Sequence, residues 1–162
     1  MSREIQKKII GLIVKAQVLA TKIGIPNLMQ PGQVKEIIIA DLLGHSLVIS
    51  KHGADACDVE NPEILYEYLS CKEGGTGQLD RMYKEPPENR QNSLNRITRN
   101  HKLYFAVFYK NEQLKAKKIY EIETDVFLAE AIEKLDRSNS NHIGFSEKWA
   151  RENGTIVYNA EG

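Results

Sequence analysis

The sequence predicts an α/β (α+β) domain with a mixed central β-sheet flanked by helices. Three observations carry that prediction. Residues 103–109 (LYFAVFY) are apolar throughout, as a strand covered on both faces must be. Residues 3–23 repeat apolar side chains at three- and four-residue steps, the helical period. The elements run as helices, then strands, then a mixture, with no internal repeat and no linker between them. A chain of 162 residues can bury a core without staples, and it reads as one domain over 1–162. Within it, 1–45 is a helical N-terminal part and 46–122 a sheet core. Residues 123–162 supply a C-terminal helix, a loop and a last strand.

In the first helix Ile5, Ile9, Leu12, Ile13, Ala16, Ala20 and Ile23 share a face, and Gly24 stands where a helix stops. Ile25-Pro26-Asn27 predicts a turn. A second helix is expected over 32–43, with Val34, Ile37, Ile38 and Leu42 inward and Gly44 at its end. Residues 46–50 (SLVIS) read as a short strand, and Lys51-His52-Gly53 turns the chain toward Asp55. Asn61-Pro62 marks a further turn before a strand over 64–71, and 73–77 (EGGTG) read as a flexible loop. Pro86-Pro87 breaks the chain ahead of a short polar helix over 90–100. After the apolar strand, Asn111-Glu112-Gln113 turns into a strand at 117–122. Thr124 is the expected N-cap of a helix over 125–136, followed by a polar loop at 138–142 (SNSNH). Phe145, Trp149 and Ala150 suit a short helix stopped by Gly154, and 155–158 form a last strand.

Cys57 and Cys71 make no CxxC pair and have no histidine cluster beside them, which predicts reduced thiols rather than a disulfide or a zinc site. No signal-peptide pattern or membrane-length apolar run is visible, so the expected location is cytoplasmic, with no membrane partner. The glycines at 73–77 lack the lysine and spacing of a phosphate loop, so no nucleotide cofactor is expected. Formal net charge is +0, but the charges are segregated. Arg81 to Lys102 holds six cations and two acids, whereas Glu121 to Asp136 holds six acids and one lysine. Such a basic segment can neutralise phosphates although the total is balanced.

The chemistry concentrates in 53–72 (GADACDVENPEILYEYLSCK), where Asp55 and Asp58 precede an apolar run carrying one acid, Glu67. Side chains two apart on a strand share a face. Glu67, Leu69 and Cys71 therefore point one way, and Tyr66, Tyr68, Ser70 and Lys72 the other. An acid at the end of one strand and another inside the next can hold Mg²⁺. Such a cation takes one or two carboxylates and completes its shell with water and phosphate oxygens.

Five segments stand in a familiar order: ATKIGIPNLMQ (20–30), HGADACD (52–58), LYEYLS (65–70), LYFAVFYK (103–110) followed by KKIYEIE, and ENGTIVY (152–158). In this the chain resembles type II restriction endonucleases of the PvuII group over nearly its whole length. HGADACD matches that family's G-x-D-A-x-D element, and LYEYLS falls where its second acidic strand lies. The resemblance implies a PD-(D/E)xK nuclease core and Mg²⁺-dependent, site-specific hydrolysis of double-stranded DNA. It implies Asp55 and Glu67 as the metal ligands, with Asp58 structural. It implies a homodimer on palindromic DNA, with the N-terminal helices as the dimer contact. Arg90, Gln91 and Asn92 fall nearest to the family's base-reading run, and Asn141 and His142 where it carries a pair of asparagines. Arg96, Arg99 and Lys102 are expected on phosphates.

One position departs from the pattern. The family's lysine sits two residues after the acid, where Leu69 stands here. A bulge or strand end could bring Lys72 round to the acid face, making it the third catalytic residue. Gln78 or Lys51 could substitute from a neighbouring element. Or the site is impaired, leaving a DNA-binding protein of the same fold. A protein-interaction domain unrelated to DNA is the rival that the zero net charge favours.

Overall fold

Arg3–Lys22 form α1, a helix ended at Gly24, whose φ of 88° suits a residue without a side chain. The structure, a computed structural model, describes residues 2–50 and 52–162. Contacts divide the chain into two compact units, Met1–Val34 and Lys35–Gly162, where the sequence reads as one. In the first unit, Gln17 folds the following segment back on α1. Its Nε2 donates to the Ile25 carbonyl at 3.2 Å, and its Oε1 accepts from the Leu28 amide at 2.8 Å. Ala20, Ile25 and Leu28 are buried by this fold-back, while Ile5, Ile9, Leu12, Ile13, Leu19 and Ile23 stay exposed.

α2 (Gln33–Leu43) runs from the end of the first unit into the second. The second unit is built on a six-stranded mixed sheet. Its strands are β1 (Ser46–Leu47), β2 (Ala56–Cys57), β3 (Leu65–Lys72), β5 (Lys102–Phe108), β6 (Ala116–Glu123) and β8 (Thr155–Asn159), adjacent in that order. β3 and β5 are parallel and central, and every other pairing is antiparallel. The expected α+β architecture is therefore present. A parallel pair needs a crossover. Here β4 (Thr76–Asp80) and α3 (Pro87–Thr98) supply it.

Alternation along β5 distributes the core. Leu103, Phe105 and Val107 join Leu69, Cys71, Tyr120 and Ile122 on one face. There they are covered by Ile97 of α3, by Phe127, Ala131 and Leu135 of α4 (Thr124–Arg137), and by Ala150 of α5 (Glu147–Asn153). Tyr104, Ala106 and Phe108 join Tyr66, Tyr68 and Ile119 on the other face, under Ile39 and Ala40 of α2. Cys57 and Cys71 are free and buried, in line with the reduced thiols expected. Among the described residues no helix is long and apolar enough to cross a membrane.

Several local expectations change. Only Ser46–Leu47 of 46–50 is strand. The glycine-rich run is not a loop throughout. After the turn at Glu73–Gly75 it enters β4, which pairs antiparallel with β7 (His142–Ser146) as a separate two-stranded ribbon. Phe145 therefore lies in a strand, and Ser146 caps α5 by accepting from the Trp149 amide at 3.1 Å. Thr124 does not cap α4. Its hydroxyl donates to the Asn100 and His101 carbonyls at 2.9 and 3.0 Å, tying the helix start to β5.

Gly77 permits the ribbon to close on the sheet. A Cβ there would stand 2.8 Å from a Phe105 ring carbon and 3.2 Å from Leu69 Cβ. We expect Gly77→Ala to lower stability by about 1–3 kcal/mol, the usual cost of overpacking, measured by urea unfolding.

Candidate active site

Asp55 stands immediately before β2, where the chain already runs alongside β3. Its amide donates to the Tyr66 carbonyl at 3.1 Å, and its Oδ2 accepts from the Tyr68 amide at 2.7 Å. The carboxylate is thus braced on the β3 backbone to either side of Glu67. Tyr68 is held from the far face of the sheet. Its hydroxyl lies 2.7 Å from His45 Nδ1, and the His45 ring stacks on Tyr66 at 4.0 Å. Asp58 takes no part in the acid pair. Its Oδ1 accepts from the Glu60 and Asn61 amides at 2.9 Å each and closes the turn, which holds its pKa below the usual carboxylate value.

Glu67 points to the face that is apolar from Leu69 onward, and its side chain is only 12% exposed. Burial pushes both carboxyls upward in pKa, Glu67 further because the Asp55 charge adds to it. The Arg99 and Arg96 charges pull both back without overcoming burial. At neutral pH the pair therefore retains a proton unless a cation replaces it. Glu36 belongs to the same electrostatic neighbourhood. Burial, then Asp55, pushes it to about 7. The sequence reading missed it, although Glu36 stands beside the apolar run 37–40 of α2.

The cation beside the acids comes from α3. Arg96 and Arg99 are three residues apart at the helix end and share a face. Asn100 closes that end, its Nδ2 donating to the Arg96 and Ile97 carbonyls at 2.7 and 3.2 Å. Arg99 Nη2 stands 3.5 Å from Glu67 Oε2, an ion pair too long for a full hydrogen bond. Arg99 Nη1 donates to the His52 carbonyl at 2.8 Å. Arg96 Nη1 donates to the Asp80 and Arg81 carbonyls at 2.7 and 3.2 Å. Of these two arginines, expected on phosphates, Arg99 is ion-paired with Glu67, whereas Arg96 is held at the end of β4 and acts on the acids through its charge.

Lys72 is not brought to the acids. The β3–β5 register is unbroken from Tyr66 to Lys72, so no bulge reverses its facing. It lies about 16 Å along the strand from Glu67, with its stem against the turn at Gly75. Leu69 is 2% exposed and packs in the core. Gln78 alternates with Gly77, which faces Leu69 and Phe105, and so points away from them into solvent. Lys51 lies outside the described residues.

The residues expected to read bases do not converge. Arg90, Gln91 and Asn92 lie on α3, fanned by about 100° each. Arg90 pairs with Asp136 at 2.7 Å, and Gln91 bonds Asn95 at 2.8 Å. Lys102 sits between Glu123 and Glu121. Asn141 and His142 do lie on an exposed edge, where His142 Nδ1 is 2.7 Å from Asp80 Oδ1.

Two acids with hard oxygens fit a divalent cation. Asp55 keeps one oxygen beyond the Tyr68 bond, and Glu67 Oε2 is buried with no hydrogen-bond partner. Among the described residues no three histidine, cysteine or acidic side chains gather as a ligand set. The fit is to a cation held by two carboxylates. No protein-family model matches the chain, and no curated protein matches it.

The raised carboxyls set a pH dependence. A carboxyl with folded pKa above its unfolded one stabilises fully below the unfolded value and loses that contribution as pH rises through the folded one. For Glu67 the window runs from 4.5 to about 8. Without divalent ions, Glu67→Gln should therefore raise stability at pH 8 by about 2 kcal/mol and change little at pH 4, read by thermal melts. Leu69→Lys, which puts a lysine two residues after Glu67, should instead destabilise by about 3 kcal/mol or more without activating the site. The same melts and a DNA digest check both parts.

Proposed function

We propose that this chain is a Mg²⁺-dependent, site-specific endonuclease that cleaves double-stranded DNA as a homodimer, of the type found in restriction systems. The observation that carries the reading is the acid pair at the head of β3. Asp55 and Glu67 are desolvated, burial raises both carboxyls in pKa, and Arg99 is ion-paired with Glu67. Bound there by Asp55 and Glu67, the cation would polarise a phosphoryl oxygen and lower the pKa of a water.

The β4–β7 ribbon supports duplex DNA as the substrate. Gly77, Leu79, Ile143 and Phe145 face inward, while Thr76, Gln78, Asp80, His142 and Ser146 are exposed. A two-stranded ribbon fits the major groove, and a glutamine amide can pair with adenine there. Gln78 lies opposite Gly144, whose missing side chain leaves the amide unobstructed. The exposed apolar row on α1 supports a second copy as its cover.

One observation favours a second reading. Leu69 belongs to the core and Lys72 lies far from the acids, as a DNA-binding protein without cleavage would allow. A plasmid digest separates the two. With Mg²⁺ we expect discrete fragments, lost in EDTA and reduced at least about 10²-fold by Asp55→Ala. Salt-dependent, sequence-specific binding without any cleavage would select the second reading. Failure to bind a random duplex library would remove DNA from the function altogether.

A further inference from the structure

Two buried polar atoms at the candidate site have no hydrogen-bond partner: Arg99 Nε, and Glu67 Oε2, which makes only the long ion pair to Arg99. A buried donor or acceptor without a hydrogen bond is costly, and it marks a place where the fold keeps a group ready for a ligand. We propose that Arg99 is a catalytic residue. Its Nε and Nη2 donate together to a non-bridging oxygen of the scissile phosphate and do the work of the lysine that Leu69 displaces. The assignment rests on the nuclease reading and names the group that reading lacks.

The geometry distinguishes Arg99 from the other cations. A guanidinium offers Nε–H and one Nη2–H along a single edge, a fork that matches two lone pairs of an oxyanion. In Arg99 the opposite corner, Nη1, is fixed on the His52 carbonyl at 2.8 Å, which sets the plane of the group. The remaining edge holds the unpartnered Nε and an Nη2 that makes only the long 3.5 Å contact to Glu67. The side chain as a whole is 26% exposed while its Nε is buried, so the fork is shielded from bulk water and an anion meets it only from the exposed part of the guanidinium. Arg96 is spent on the Asp80 and Arg81 carbonyls. Lys102 is spent on Glu121 and Glu123, and Lys72 lies far along β3.

The bookkeeping of the reaction leaves Arg99 unchanged. A water oxygen forms the new bond to phosphorus, and the bond from phosphorus to one ester oxygen of the strand breaks. The water's proton passes through a carboxylate to solvent, and the departing oxygen takes a proton from solvent. A phosphodiester and water become a phosphomonoester and an alcohol. Arg99 stays protonated and stabilises the negative charge that gathers on the phosphoryl oxygens.

The test compares wild type, Arg99→Lys and Arg99→Ala in single-turnover cleavage with Mg²⁺, in duplex binding with Ca²⁺, and in cleavage with added guanidinium. Both variants should bind within about fivefold of wild type and cut about 10²- to 10³-fold more slowly. Guanidinium should restore Arg99→Ala at least tenfold and leave Arg99→Lys unchanged. A folded variant that cuts within threefold of wild type overturns the assignment, as does a loss of cleavage that guanidinium does not restore. If Arg99→Ala does not fold, Arg99→Lys decides alone, because it keeps the charge at the helix end and loses the fork. Wild type that leaves all DNA intact overturns the nuclease reading and this assignment with it. Wild type that cuts beside an equally active Arg99→Lys overturns the assignment only.

Discussion

The parallel pairing of β3 with β5, in unbroken register from Tyr66↔Lys102 to Lys72↔Phe108, constrains almost everything else in the larger unit. Strand alternation then has no freedom. Glu67 must head a column that continues through Leu69 and Cys71 into the core, and Lys72 must face away from it. The same register aligns Tyr68 so that its amide meets Asp55 and its hydroxyl meets His45. A slip of one residue would bury Lys72 among phenylalanines and expose the acid. The position of the carboxylate and the absence of a strand lysine are thus two results of one pairing.

Holding two carboxylates at the margin of an apolar core is unfavourable, and the electrostatics record it. Burial raises Asp55, Glu67 and Glu36 together, and the α3 arginines offset part of that for Asp55 and Glu67 alone. Arg99 does not complete the compensation, since its Nε and Glu67 Oε2 both lack a hydrogen bond. A fold selected for stability alone would replace such a cluster with aliphatic side chains. Retaining it, next to an anchored guanidinium, accords with the proposed site, in which the acids would take a cation and the arginine an anion.

The central elements were legible because their signals are local. Residues 103–109 could hardly be anything but a covered strand, and Lys102–Phe108 is one. The apolar periods of α1 and α4 appear within a residue or two of their expected limits. The β4–β7 ribbon was not legible, because its partners are some sixty residues apart and β4 contributes only Leu79 as a large apolar side chain. Phe145 was read as helical for the same reason: five residues carry too little pattern to separate a strand from a helix start. The acid pair was visible in the spacing of Asp55 and Glu67, but Glu36 was not, since no local pattern relates α2 to Asp55 at the start of β2.

By itself the sequence determined the fold class, the sheet's central strand and the two acids, because hydrophobic period and carboxylate spacing are properties of short segments. Only the tertiary structure decided which cation stands beside those acids. Arg99 lies thirty-two residues beyond Glu67, on a helix whose end reaches the site through a crossover that no local rule predicts. Leu69, read from the sequence as a gap in a catalytic pattern, is in the folded chain a core residue against Gly77 and Phe105, and the cation paired with Glu67 comes from another element.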